Sequence, residues 1–170
     1  MNTNALSVAN YFIELANRDN KPIQLLGLVK RVYIAHGFAL ALLGHGLLDP
    51  RFDKVEAWKY GPVIPSVYHS FKQYKREAIK EPTIMLHQDE SGAYDFITPV
   101  IDNDKDKMIV EMVWKRYRDY TDPSLVNLTH VDGSPWKVCY KAGENREIPD
   151  SFTELYYQKL VKIIVANGTK

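Results

Sequence analysis

With 170 residues, 45% of them hydrophobic and 25% charged, the chain can bury a sizeable core as one ordinary domain and needs no disulfide or metal staple. Its 22 Lys and Arg against 21 Asp and Glu leave a formal charge of +1, too little for the broad basic face that binding to a phosphate backbone requires, so no nucleic-acid partner is expected. The single cysteine, Cys139, cannot close an internal disulfide and no charged-then-apolar leader opens the chain, so a reducing, cytoplasmic setting is expected.

The stripe of Leu6, Ala9, Phe12, Ile13 and Ala16 predicts a first helix from about Asn4 to Asn17, followed by a polar break over 18–22. A second helix, from about Ile23 to Leu43, carries Leu25, Val29, Val32, His36, Ala39 and Leu43 at alternating steps of four and three. Leu26, Tyr33 and Leu40 widen that stripe, as expected of the central helix of a domain. Lys30, Arg31 and His36 interrupt it and argue against a membrane span, so no membrane partner is expected. Gly44 and Gly46 should end it, and residues 47–54 read as a loop.

The next stretch, Val55 to His69, is the most unusual in the chain. Trp58, Tyr60, Gly61, Pro62, Pro65 and Tyr68 crowd a turn in which a permissive glycine and a φ-locked proline fix the direction of the backbone. Glu56 to Tyr60 suits a short strand, and Pro65 suits the first turn of a helix that should last to about Arg76, with Val67, Tyr68, Phe71 and Tyr74 on one face. Such a stiff aromatic corner serves either as a core hinge or as a docking surface.

Thr83 to His87 and Ala93 to Thr98 read as a β-hairpin with a longer turn. A fourth helix follows from about Lys105 to Tyr120, capped by Asn103 or Asp104, with Ile109, Met112, Val113, Tyr117 and Tyr120 available for burial. Asp122-Pro123 and Ser134-Pro135 each repeat one device, a capping side chain and then a proline, and each should start a short helix. The last helix is expected near Ser151, with Ser151 and Glu154 as a capping box and Phe152, Leu155, Tyr156, Leu160, Ile163 and Ile164 as its apolar face. Nothing divides the chain, so the expected fold is a single mainly α (α+β) domain over residues 1–170: several helices around a buried central one, with a small hairpin or short strands.

Reactive constellations are absent from the sequence pattern. The histidines His36, His45, His69, His87 and His130 lack ligand spacing and there is no Cys-x-x-Cys pair, so neither metal nor cofactor is assigned. A metal-dependent hydrolase or nuclease could be built only from distant residues, His36, Glu56, His69 and His130. His36, on an apolar stripe, reads as a hydrogen-bonded core residue, while His45 and His87 read as loop residues. Cys139 reads as a packed thiol with no adjacent base, and no nucleophile elbow or phosphate-cradling loop occurs. Asp102, Asp104 and Asp106 fall at a helix start, where carboxylates complement the helix dipole. No catalytic residue is therefore assigned. Eleven tyrosines, three tryptophans and six phenylalanines make up 12% of the chain, which favours a protein-binding face, although Trp58, Tyr60, Tyr68, Trp114 and Trp136 could instead fill the space between short helices.

Three blocks of the chain carry a family resemblance: Leu28-Val29-Lys30-Arg31-Val32-Tyr33-Ile34-Ala35-His36-Gly37, then Glu56-Ala57-Trp58-Lys59-Tyr60-Gly61-Pro62-Val63 with Pro65, Val67 and Tyr68, then Leu128-Thr129-His130 with Ser134-Pro135-Trp136. Together they resemble the Panacea domain, the SocA-like antitoxin domain of bacterial toxin–antitoxin pairs and phage genes. The resemblance implies a non-enzymatic antitoxin that binds and neutralises a toxin encoded nearby, directly or as an adaptor to an ATP-dependent protease. A phage or prophage protein that binds a host factor is the alternative from the same class. Val29 and Arg31 stand where the family usually has glutamine and leucine, and Ala39 where it often has histidine, which points to a distinct partner surface near the second helix. The family pattern starts almost at Met1, so no separate N-terminal DNA-binding domain is expected. The candidate partner-binding motif is Tyr33, Trp58, Tyr60, Gly61, Pro62, Pro65, Tyr68, His130 and Trp136, expected to form the structural heart of the domain with part of it reaching a partner. The hairpin over 83–98 and the loop around Arg51 are the other candidate contacts.

Overall fold

The computed structural model describes residues 3–168. Its elements run α1 (Ala5–Arg18), α2 (Leu25–Leu43), β1 (Glu56–Trp58), β2 (Gly61–Val63), α3 (Pro65–Phe71), a 3₁₀ turn (Lys72–Tyr74), β3 (Met85–Gln88), β4 (Tyr94–Ile97), α4 (Asp104–Tyr117), α5 (Asp122–Thr129), α6 (Pro135–Cys139), β5 (Arg146–Glu147) and α7 (Asp150–Gly168). The expected class, mainly helical with small antiparallel sheets, is the observed one.

The axis is α2, against which α1, α3, α4, α5, α7 and β2 all pack. It is buried without interruption from Gly27 to Leu40 and ends on Gly44 in the left-handed conformation. By length and apolarity this helix could cross a membrane, but most of it lies inside the fold. Its polar side chains bond inside the fold: Lys30 Nζ donates to the Pro62 carbonyl and Arg31 Nη2 to the Tyr117 and Tyr120 carbonyls, while the buried Arg31 Nε has no partner among the described residues. His36 is a hydrogen-bonded core residue as expected, with Nε2 2.8 Å from Asp150 and Nδ1 accepting from the Leu47 N–H.

Helix α1 starts on a reciprocal cap between Asn4 and Ser7, and Ala9, Phe12, Ile13 and Ala16 are buried as its spacing predicts. The loop after α2 is held by Asp53, whose carboxylate accepts from the Ala5 and Asp49 amides and the Ser66 hydroxyl. That one side chain ties the starts of α1 and α3 together. Asn10 does the same for the hairpin, bonding the Thr83 amide and the Thr83 and Pro99 carbonyls.

Several expectations need correction. The chain after Pro65 is α-helical only to Phe71 and then tightens to 3₁₀, a common way for a helix to end, before Lys75 stops it at φ 53°. Thr121, not Asp122, caps α5, because its side chain reaches the Ser124 N–H and Asp122 and Pro123 sit inside the first turn. Asn103 caps α4; Asp106, in the first turn, is buried and bonds Thr3 and His45 instead of a cap amide. On α4, Met112 and Tyr120 beyond its end are exposed while Ile109, Val113 and Tyr117 are buried. His87 lies in β3 rather than in a loop.

The largest correction concerns α7. It begins at Asp150, so Ser151 lies inside the helix, and Phe152, Leu155 and Ile163 of the expected apolar face are exposed. The buried residues are Thr153 and Tyr157. Gly37 explains the rotation: a Cβ there would collide with the Tyr157 ring, so the missing side chain on α2 is the berth that ring occupies, edge-on to Phe38 at 5.1 Å.

Candidate functional site

The turn between β1 and β2 is only Lys59-Tyr60, with Trp58 opposite Gly61 and Ala57 opposite Pro62. Strand β2 is the edge of the β2-β1-β5 order, where a proline removes no ladder bond that the sheet needs. Gly61 adopts φ 105°, and a Cβ there would lie 2.8 Å from Lys30 Cε, 3.0 Å from Thr129 Oγ1 and 3.1 Å from His130 Nε2. Backbone strain and lack of space therefore both require glycine. The Pro62 carbonyl accepts from the Lys30 ammonium at 2.9 Å, and Pro65 opens α3 as expected.

From the other side, the Ser134 cap and Pro135 start α6 and bring Trp136 under the corner. Its indole N–H donates to the Trp58 carbonyl at 2.7 Å. It stacks on His130 with centroids 3.6 Å apart and planes 1° from parallel, and on Tyr140 at 4.7 Å. Burial holds His130 below its ordinary pKa, with Lys30 and Lys137 adding to the effect. Burial likewise lowers Lys30 to about 7, against the opposing pull of Asp122. Gly61, Pro62, His130 and Trp136, far apart in sequence, thus lock into one node around Lys30.

In front of that node lies a mainly apolar slot of about 420 Å³, walled by Leu25, Leu26 and Val29 of α2, Trp58, Tyr60, Val63 and Tyr68 of the corner, Lys30, Lys59, Lys75 and Asn145. Trp58 and Tyr68 meet edge to face at 5.0 Å. The Trp58 indole N–H is engaged by Glu56 at 2.7 Å, while the Tyr60 ring, 62% exposed, stands open to solvent with Lys59 Nζ 5.3 Å from its centroid. The slot thus joins Trp58, Tyr60 and Tyr68 of the expected motif. Tyr33 stands apart from it, buried between α2 and α7 with its hydroxyl 3.4 Å from Thr153. Val29, Arg31 and Ala39 are also buried, and of these three departures Val29 is the one that lines the slot. Lys30 was legible only as a lone charge on a wide apolar stripe, and Lys75 and Asn145 left no signal in the sequence.

The composite of His36, Glu56, His69 and His130 does not assemble. His36 pairs with Asp150, Glu56 with Trp58, His69 lies edge-on to Tyr68, and His130 is stacked on Trp136. Among the described residues no group of three or more His, Cys, Asp or Glu side chains converges to hold a metal. Cys139 is half-buried against the core and burial raises its thiol pKa. A larger cleft of about 760 Å³ runs between α1 and the base of the hairpin, but there Asn10 is already committed to the backbone. The hairpin itself presents Ile84, Leu86, Tyr94 and Phe96, each more than half exposed, with Leu86 directly opposite Phe96. Alternation places these four on one face. Arg51, in the loop after α2, folds back on Asp49 in a two-nitrogen pair.

Residues 28–137 match the model of a family described as "Antitoxin SocA-like, Panacea domain". The chain is also 34% identical over 139 residues to "Antitoxin SocA" of Caulobacter vibrioides (strain NA1000 / CB15N), covering 79% of this chain and 69% of that protein. No solved structure gives a significant match.

Proposed function

The chain belongs to the SocA-like antitoxin family, the Panacea domain, and on that premise we propose that it binds and neutralises a cognate protein toxin encoded nearby. The observation that carries this reading is the corner. Its motif divides into a buried node that sets the backbone and an aromatic rim around an apolar slot, and large aromatic side chains beside a cavity are the usual anchors of protein interfaces. Shape recognition needs a rigid frame and a few such anchors, and no acid, base or metal. The exposed apolar face of the hairpin would add contact area on the same logic.

Neutralisation would take place in the cytoplasm, either by covering the toxin or by delivering it to an ATP-dependent protease. Co-expression with the product of the adjacent gene tests the reading. Growth arrest by that product alone, relieved by this chain with recovery of a stable complex, supports it. Arrest that persists with no complex formed, or a neighbour that is harmless by itself, refutes it. Relief that vanishes in a strain lacking the protease, while the complex still forms, identifies the adaptor route over simple covering.

A further inference from the structure

Three lysines border a slot that is otherwise mainly apolar, and among the described residues no acidic one lines it. Lys59 and Lys75 are exposed, and neither is ion-paired with a carboxylate among the described residues. Lys30 is fully buried and spends one of its three N–H donors on the Pro62 carbonyl. The carboxylate that acts on Lys30 is Asp122, which does not line the slot, and Glu56 is engaged by the Trp58 indole. Lys75 borders the slot from the end of the 3₁₀ turn, where its backbone has φ 53°. A volume of about 420 Å³ suits one or two side chains rather than a secondary-structure element.

From this charge pattern we propose that the slot receives a short segment of a partner protein in which a large apolar or aromatic side chain is flanked by Asp or Glu. The apolar side chain fills the space between Val29, Trp58, Tyr60 and Tyr68. The flanking carboxylates meet Lys59 and Lys75 at the mouth. A basic flank would face uncompensated lysines, so the same arrangement rejects it. The inference rests on the antitoxin reading only for the identity of the partner; the ligand chemistry follows from the slot.

Isotope-labelled protein titrated with the blocked tripeptides Asp-Trp-Glu, Asn-Trp-Gln and Lys-Trp-Lys tests the proposal by NMR. At low salt Asp-Trp-Glu should bind about 5–10-fold more tightly than the neutral peptide, as two exposed ion pairs allow, and Lys-Trp-Lys more weakly still. The shifted amides should include Val29, Trp58 and Tyr60. The preference should fall towards unity at high salt and in the double variant Lys59→Gln with Lys75→Gln, both exposed positions at which folding is retained. Equal binding of the three peptides, a preference that survives in the double variant, or shifts confined to another surface would overturn the proposal. In the co-expression assay, a double variant that neutralises as well as the parent would overturn the slot as the docking site and leave the antitoxin reading standing. A parent that binds Asp-Trp-Glu as described but neutralises nothing would support the slot chemistry and sink the antitoxin reading.

Discussion

Replacing Lys30 by methionine should stabilise the protein at neutral pH and cease to do so in mild alkali. The side chain is fully buried, and burial takes its pKa from 10.5 to about 7. A lysine with a lowered folded pKa binds fewer protons in the native than in the unfolded chain, so its destabilising effect shrinks as pH rises from about 7 towards 10.5. Integrated over that interval, the lysine costs about 4 kcal/mol at pH 7 and about 2 kcal/mol at pH 9. Lys30→Met removes this cost and nearly keeps the volume, but leaves the Pro62 carbonyl without its donor, a loss of about 1–3 kcal/mol. The balance is a gain of about 2 kcal/mol at pH 7, or roughly 4–8 °C in Tm for a chain of this length, falling to near zero at pH 9. The neighbouring charged and titratable groups are Asp122 and His130, and His130, lowered below 6.5, titrates beneath this window. Thermal denaturation followed by circular dichroism at pH 7, 8 and 9 measures the difference. A variant that is less stable than the parent at pH 7, or a Tm difference that does not change with pH, would show that the buried amine does not destabilise the fold through its charge.

Asp53→Ala should cost about 2–5 kcal/mol in urea denaturation, since it strands the Ala5 and Asp49 amides and the Ser66 hydroxyl. Asn10→Leu should accelerate hydrogen exchange across 83–99 while leaving α2 protected, because it releases both ends of the hairpin at once. Trp136→Phe should lose about 1–3 kcal/mol by leaving the Trp58 carbonyl unpaired, and should weaken partner binding in the same proportion as it loosens the corner. Tyr60→Ser should leave stability within about 0.5 kcal/mol, since the ring is mostly exposed, yet weaken the toxin complex about 30-fold or more by calorimetry if the ring is an anchor.

Helix α1 was legible because its burial follows one period, and α2 because its apolar stripe is wide enough for a helix buried on every side. The stripe of α1 and the wide face of α2 are the faces that pack, and the proline-led starts at Pro65 and Ser134-Pro135 are observed. What escaped the sequence was set by space left on a neighbour. The missing Cβ of Gly37 rolls α7 onto Tyr157 and turns Phe152, Leu155 and Ile163 outward, and no periodicity within α7 encodes that. Likewise β5 is two exposed residues that pair with β1, too short to leave a pattern. At the site, the aromatic cluster was visible as a cluster, but its division into frame and rim was not. That division depends on contacts across about 30–80 residues of chain, such as Trp136 to the Trp58 carbonyl and Gly61 against Lys30 and His130.

This division changes how the motif residues should be interpreted. Gly61, Pro62, His130 and Trp136 are buried or half-buried around Lys30, so substitutions there would abolish binding by moving the Lys59-Tyr60 turn without any of them touching a partner. Tyr60 projects from that turn and Lys59 lies beside it, so they can change contact without changing the frame. A buried lysine fits this arrangement. It holds an edge-strand carbonyl that no sheet partner reaches, and by doing so fixes the angle at which Trp58 and Tyr60 face the slot. The cost of desolvating Lys30 thus falls on fixing the β2 backbone, while the Tyr60 ring that projects from the turn stays open to solvent.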